Sequence, residues 1–485
     1  MMRLSLLLTV VIAIASCSSN YTYKQPSIPV PAFFNKTDIS GKTEYAPLVK
    51  EITIHDFVKD KKLQALIAIA VENNRDLKIS LANVQKAKEY FGIKRAELLP
   101  SLGIYLEGSR QRIPSDLSPR SESIINEQYS FVTGLVSWEI DIFGKIRAQK
   151  DMAFESYLAQ KEISRAVKLS LITEVAGAYF TYAADQEILK IANDLIRTNT
   201  EIYEIVKKRY LTGMATEVEL KHAEAQVENA KETHLRYLQE TQKDKNALDL
   251  LVGISVPEEL LPNGMADVVP LLDISSGLSS EILLTRPDIM ALEHNLKSMN
   301  AQIEAARAAF FPIISLTSIL GVASGELSGL FLSGSKTWTF KPQIKTPVFD
   351  TRVMKAHRLA KIEAEIAVLN YEKAIQNAFK EVLDCLSFKA IIIERKKAYQ
   401  NMVFSLAEGL RLSKLRYEKG IDNYLSVLIS QNSLLSAKIY ETRLELLRNT
   451  NLLSLYKALG GSKDLDYLLT SVFCGSAQGC PSSSP

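Results

Sequence analysis

Histidines, cysteines and carboxylates are what a chain of this size would use for chemistry, and here their spacing supplies little. The five histidines, His55, His222, His234, His294 and His357, fall singly, never at the spacing with which imidazoles share a metal. No phosphate-binding loop is present, so nucleotide hydrolysis has no cradle and any work must draw its energy from a partner. The expectation is a chain that is not an enzyme, with no cofactor, no metal site and no catalytic residues. Among the cysteines, Cys385 sits in a helical pattern beside Val382, Leu383 and Leu386 and reads as a small buried hydrophobe. Cys474 and Cys480 flank Gly475-Ser-Ala-Gln-Gly479; a small disulfide loop in an oxidising compartment and two free thiols both fit.

The remaining cysteine, Cys17, follows a segment with the order of a secretory signal: Met1-Met2-Arg3, then an apolar run from Leu4 to Ser16 too short to span a bilayer. Ile14-Ala15-Ser16-Cys17 resembles the bacterial lipobox, which implies a lipidated Cys17 carrying acyl chains such as palmitate. Ser18 resembles the sorting choice for the outer membrane. The alternative is cleavage after Ala15, leaving Cys17 a free thiol.

The elements that must position any function are repeated. Residues 75–108 and 287–320 align without a gap, pairing Asp76 with Asp288, Arg95 with Arg307, Pro100 with Pro312 and Leu102 with Ile314. In each copy a helical pattern stops at a proline, which cannot extend a helix and pushes its predecessor toward extended geometry. Alternation follows. Leu102, Ile104 and Leu106 alternate with Gly103, Tyr105 and Glu107, and a return strand over 128–141 sets Val136, Trp138 and Ile140 against Ser137, Glu139 and Asp141. Tyr129 to Leu135 alternates less cleanly. The second hairpin uses Ile314, Leu316, Leu320 and Val322, then Trp338, Phe340 and Ile344; Gly321, Gly325 and Gly329 between them read as loop chemistry.

Between the hairpins the chain is strongly helical. Lys145 to Lys190 carries two heptad-like stripes, one through Leu169, Ile172, Ala176, Tyr179 and Ala183, the other through Ile163, Ala166, Ser170, Thr173, Gly177 and Phe180. Two seams on one helix predict neighbours on both sides, as in a ring of helices. Arg209-Tyr210 through Gly213 repeats as Arg416-Tyr417 through Gly420. Thr216-Glu217-Val218-Glu219 is a capping-box pattern, Asp422 a candidate N-cap, and the two glycines are helix stops.

A net charge of +3, from 58 Lys+Arg against 55 Asp+Glu, argues against a nucleic-acid partner. No run of 18 apolar residues exists, which excludes a transmembrane helix but not a barrel. Each strand is long enough to cross a bilayer when tilted, where about 9–11 residues suffice. Four strands cannot close, and lipid does not tolerate open edges, so at least two chains must share one barrel.

The motifs Asn73-Asn74-Arg75-Asp76-Leu77, Leu99-Pro100-Ser101-Leu102, Ser137-Trp138-Glu139-Ile140-Asp141-Ile142-Phe143-Gly144, Arg286-Pro287-Asp288, Ala308-Ala309-Phe310-Phe311-Pro312 and Leu455-Tyr456-Lys457-Ala458-Leu459-Gly460-Gly461 occur in order over most of the chain. Together they resemble the TolC-like outer-membrane efflux protein family, in its lipoprotein branch associated with RND pumps. The resemblance implies an α + β membrane protein: a long antiparallel α-helical barrel continued by a transmembrane β-barrel, four strands per chain and twelve in a homotrimer, with an internal two-fold repeat and a mixed α/β collar. It implies the outer-membrane channel of a tripartite efflux system, lipid-anchored, with a large periplasmic part. Its partners would be outer-membrane lipid, a periplasmic adaptor and an inner-membrane RND (or ABC) transporter. Two alternatives stay open: a conduit for type I protein secretion, and a non-conducting lipid-anchored coiled-coil scaffold.

On this reading the chain divides into a signal peptide (1–16), a lipid-anchored tether and start of the collar (17–60), helices of the first repeat (61–99), a first β-hairpin (100–142), long helices (143–253) and a linker (254–280). The second repeat follows with helices (281–311), a β-hairpin (312–349), long helices (350–460) and a C-terminal collar or tail (461–485). Pro100, Phe143, Gly144, Pro312, Phe349 and Asp350 mark helix-to-strand junctions. Tyr210, Gly213, Glu219, Arg416, Tyr417, Gly420, Asp422, Tyr424 and Leu425 mark the periplasmic gate and tip. The chain departs from the family at Ser426 and Ile429, where relatives place an acidic residue, so closure is expected to rest on Tyr417, Tyr424 and Leu425.

Overall fold

The computed structural model describes residues 25–26, 28–34, 53–118, 122–274 and 279–462, so Cys17, Cys474 and Cys480 lie outside the described residues. The helices are α1 (Ile54–Phe57), α2 (Lys61–Asn73), α3 (Arg75–Ala96), α4 (Lys145–Leu211), α5 (Glu217–Val252), α6 (Pro287–Ala308), α7 (Thr351–Glu418) and α8 (Tyr424–Ala458). The strands are β1 (Leu102–Ile113), β2 (Ile124–Glu139), β3 (Ile313–Ser324) and β4 (Lys336–Lys345). The 67 residues of α4 carry it well past Lys190. Residues cluster into two compact units, one holding Asn83–Gln160 and Ala291–Tyr371, the other Ile28–Ala82, Lys161–Met290 and the chain from Glu372 onward.

The first unit contains the sheet, antiparallel throughout in the order β1-β2-β3-β4. Its register sets Leu106 opposite Phe131, Phe131 opposite Val322 and Val322 opposite Lys336, and one step inward Thr133, Leu320 and Trp338 share a rung. Directly opposed residues point to the same face. One face therefore collects Leu102, Ile104, Leu106, Leu320, Trp338, Phe340 and Ile344, all exposed. The other carries Tyr105, Glu107, Ser109, Thr317, Thr339, Lys341 and Gln343.

A bulge between Leu135 and Trp138 explains the ragged alternation of β2. The extra residue shifts the phase by one, so Phe131, Thr133 and Leu135 share the apolar face with Trp138 although their numbers are all odd. Ser137 absorbs the irregularity at φ 55, and its N–H is held 3.1 Å from the Thr317 hydroxyl. Gly321 corrects the loop expectation: it lies inside β3, where a Cβ would collide with the Phe131 oxygen and sit 2.6 Å from the Val132 Cα.

Strand-to-helix junctions are tied locally. Phe143 stacks on Phe311 at 4.9 Å beside Pro312, Gly144 is left-handed at φ 81, and Ile140 N–H donates to the Ile314 oxygen at 2.8 Å. The Asp141 carboxylate accepts the first N–H groups of α4, from Ile146 at 3.1 Å and Arg147 at 2.8 Å. Asp350 does the same for Arg352 N–H at 2.9 Å, while Phe349 is exposed. Pro100 stands between the end of α3 and the start of β1. His294 faces Glu155 at 2.7 Å, and His357 sits edge-on to Phe310.

In the second unit α2 buries Leu63, Leu66, Ile67, Ala70 and Val71, and Phe57 stacks on Tyr456 at 4.3 Å. Asp60 caps α2 and accepts the Tyr179 hydroxyl at 3.3 Å. The two repeats close their helix ends by parallel devices: Asn74 Nδ2 donates to the Leu251 oxygen at 2.9 Å, and Arg286 Nη1 to the Ala458 oxygen at 2.9 Å. Each donor satisfies an orphan carbonyl in the last turn of a helix. On α4 the seam through Leu169, Ile172, Ala176, Tyr179 and Ala183 is fully buried, whereas the other is mixed: Thr173 and Phe180 are buried, Ala166, Ser170 and Gly177 half-buried and Ile163 exposed. Of the expected α/β collar, the described residues hold helices, 3-10 turns and a single β-bridge, Phe33 to Ser279.

Candidate functional site

Two helical turns in the second unit, one joining α4 to α5 and one joining α7 to α8, bring the gate candidates together. Each begins with the same termination. Gly213 and Gly420 adopt φ 75 and φ 70, which glycine enters without Cβ strain. Gly213 N–H then bonds the Tyr210 oxygen and Met214 N–H the Arg209 oxygen; Gly420 and Ile421 bond Tyr417 and Arg416 in the same pattern. This is the Schellman closure of a helix.

The helices that leave the turns are capped differently. Thr216 and Glu219 form a reciprocal capping box on α5. At the start of α8 the N-cap is Asn423, not Asp422: its side chain accepts from Ser426 N–H at 3.3 Å. The helix begins one residue later than expected, leaving Asp422 to accept Asn423 N–H at 2.8 Å, the Ser426 hydroxyl at 3.1 Å and Arg416 Nε at 3.4 Å. Those donors, the Asn423 N–H first, hold its carboxyl below the ordinary carboxylate value.

Repeat-equivalent residues take unequal positions. Tyr417 is 4% exposed and Tyr424 3%, packed at 5.8 Å between ring centres with Val206, Ala223 and Val427 around them. Tyr210 and Leu425, at 39% and 57%, face outward. Arg209 crosses between the hairpins, its Nη1 donating to the Tyr417 oxygen at 2.8 Å and its guanidinium 4.6 Å from that ring. Burial, with Tyr417 alongside, pushes the Tyr424 phenol up to about 12; burial also raises Tyr417. Both stay neutral and act as packing.

Deeper along the hairpins, Gln431 of α8 donates to Asn199 Oδ1 of α4, and Asn199 Nδ2 donates to the Gln226 oxygen of α5 at 2.8 Å. Sequence reasoning missed this link. Its signal was present: Gln431 continues the stripe Tyr424, Val427, and Asn199 the stripe Ile202, Val206, each a polar residue on an apolar seam. Arg209 was visible only as part of the repeat.

The profile of the Outer membrane efflux protein family matches residues 66–254 and 278–461. The chain belongs to that family. It is 36% identical over 460 residues to the toluene efflux pump outer membrane protein TtgC of Pseudomonas putida, covering 94% of this chain and 95% of that one. To the outer membrane protein OprJ of Pseudomonas aeruginosa it is 34% identical over 459 residues, with coverage of 94% and 95%. Among solved structures, a membrane protein from Pseudomonas aeruginosa superposes with a TM-score of 0.85 at 35% identity, covering 93% of this chain and 98% of that one. The open-state MtrE outer membrane channel of Neisseria gonorrhoeae gives 0.81 at 33%, with coverage of 92% and 98%. The fold is thus that of the TolC-like outer membrane channels, mostly helical with one four-stranded antiparallel sheet, and the family is one of channels rather than enzymes.

Proposed function

We propose that the protein is the outer-membrane channel of a tripartite efflux system, a passive conduit from periplasm to exterior gated at the two helical turns. The sheet carries this reading: it has an apolar and a polar face, and β1 and β4 each leave one edge unpaired within the chain. Unpaired N–H and C=O groups in lipid cost several kcal/mol each, so β1 of one copy pairs with β4 of the next until the ring closes. Three copies give twelve strands, with the polar face lining water. Ile163, exposed on the second seam of α4, packs on a neighbouring copy in the helical barrel.

At the gate, Arg209 latches the hairpins while Leu425 and Tyr210 project outward into the closing space. A periplasmic adaptor docks at the turns and an inner-membrane RND (or ABC) transporter supplies energy and selectivity. TtgC is named for toluene efflux; a conduit that binds no cargo leaves that choice to the transporter. Cys17 anchors the chain through its acyl groups. The test is extraction from membranes followed by native mass measurement and pull-down with adaptors of RND and ABC systems. A trimer that retains an RND adaptor is the expected result, and a monomer that retains none overturns the reading.

A further inference from the structure

The two loops that join the strands of each hairpin differ in chemistry. Residues 114–123, Pro-Ser-Asp-Leu-Ser-Pro-Arg-Ser-Glu-Ser, are polar and proline-rich, whereas residues 325–335 hold Leu327, Leu330, Phe331 and Leu332 with Glu326 as their only charge. In the second loop Leu330 is buried but Leu327, Phe331 and Leu332 are 65%, 76% and 67% exposed. Three large apolar side chains in eleven residues is more than an aqueous loop retains without a partner.

Their location indicates which partner. Phe331 turns back onto the sheet, its ring 6.3 Å from that of Phe131 at 56°. Phe131 stands on the apolar face, in the rung of Leu106, Val322 and Lys336, one step outward from the rung of Leu320 and Trp338. Farther out, Arg110 pairs with Glu127 at 2.8 Å. Apolar residues, then an indole, then charges is the order in which a strand leaves a bilayer. The loop's apolar tip thus continues the lipid-facing band at its outer margin, opposite in character to the polar face inside.

We propose that the β3–β4 loop is embedded in the outer leaflet, with Phe331, Leu332 and Leu327 inserted among lipid acyl chains as an apolar cuff around the barrel. The cuff fixes the depth of the barrel from its outer side, as the acyl groups at Cys17 would from the inner side. The inference rests on the barrel reading above, and its test separates the two.

The full-length protein is reconstituted into phosphatidylcholine vesicles with or without bromines on the upper acyl carbons. Trp138→Phe leaves Trp338 as the sole tryptophan and reports the barrel. Trp138→Phe/Trp338→Phe/Phe331→Trp reports the loop, and Leu332→Trp in the same background is a second loop probe. The expected result is loss of fluorescence in brominated vesicles at a loop probe comparable to that of Trp338. Quenching of Trp338 with a water-exposed, unquenched signal at both loop positions overturns the cuff and leaves the barrel standing. Absence of quenching at all three overturns both.

Discussion

Arg209, on the first helical hairpin, donates to the backbone oxygen of Tyr417 on the second at 2.8 Å. Its repeat equivalent, Arg416, reaches only Asp422 at 3.4 Å within its own turn. A charge-assisted hydrogen bond contributes about 1.5–3 kcal/mol, an exposed ion pair about 0–1. Arg209→Ala should therefore raise the open fraction in single-channel recordings by roughly tenfold or more, given 1.4 kcal/mol per decade. Arg416→Ala should change it by much less; equal effects would contradict the latch.

Tyr417 and Tyr424 divide hydroxyl from ring. The Tyr417 hydroxyl is buried without a hydrogen-bond partner in the structure, so Tyr417→Phe should leave thermal stability unchanged or slightly raised. Tyr417→Ala opens a cavity in the hairpin seam and should cost about 3–5 kcal/mol by analogy with other buried aromatics. Leu425→Ala, at an exposed position, should leave stability alone and alter conductance.

Asp244 of α5 meets Asp185 of α4, with Glu240 adding negative charge, Lys243 beside Asp244 and Arg443 of α8 beside Asp185. Burial first, then the neighbouring carboxylate, pushes Asp244 up to about 7 from an ordinary 3.8. A raised folded-state pKa favours folding of the protonated form. That stability is complete below pH 3.8 and is lost as pH rises through about 7. Asp244→Asn should remove this slope and stabilise the protein above neutrality by about 1 kcal/mol after allowance for solvent screening. Thermal melts across that pH range read the difference.

Gly321 faces the Val132 backbone so closely that Gly321→Val should block pairing of β2 with β3. Heat-resistant oligomer in outer-membrane fractions should fall severely, while Gly334→Val, where open space surrounds the glycine but φ is 102, should retain more of it.

The four strands and long helices were legible because period-two and period-3.6 patterns persist over many residues, and the prolines at 100 and 312 stop helices for local steric reasons. The phase change at Leu135 was not: a bulge is fixed by cross-strand pairing, which no single strand encodes. Gly321 was misread for the same reason, since its neighbour is 189 positions away in sequence. The N-cap of α8 could have been found. The repeat that aligns Arg209 with Arg416 also aligns Thr216, the α5 cap, with Asn423. The Arg209 latch and the Asn199–Gln431 link join different helices, so sequence displays their residues but not their meeting.

Conduction is the central claim, and planar-bilayer recording of the purified protein tests it most directly. The account predicts discrete conductance steps that are rare in the wild type and frequent in Arg209→Ala. An Arg209→Ala protein that inserts as an oligomer yet passes no current would contradict it.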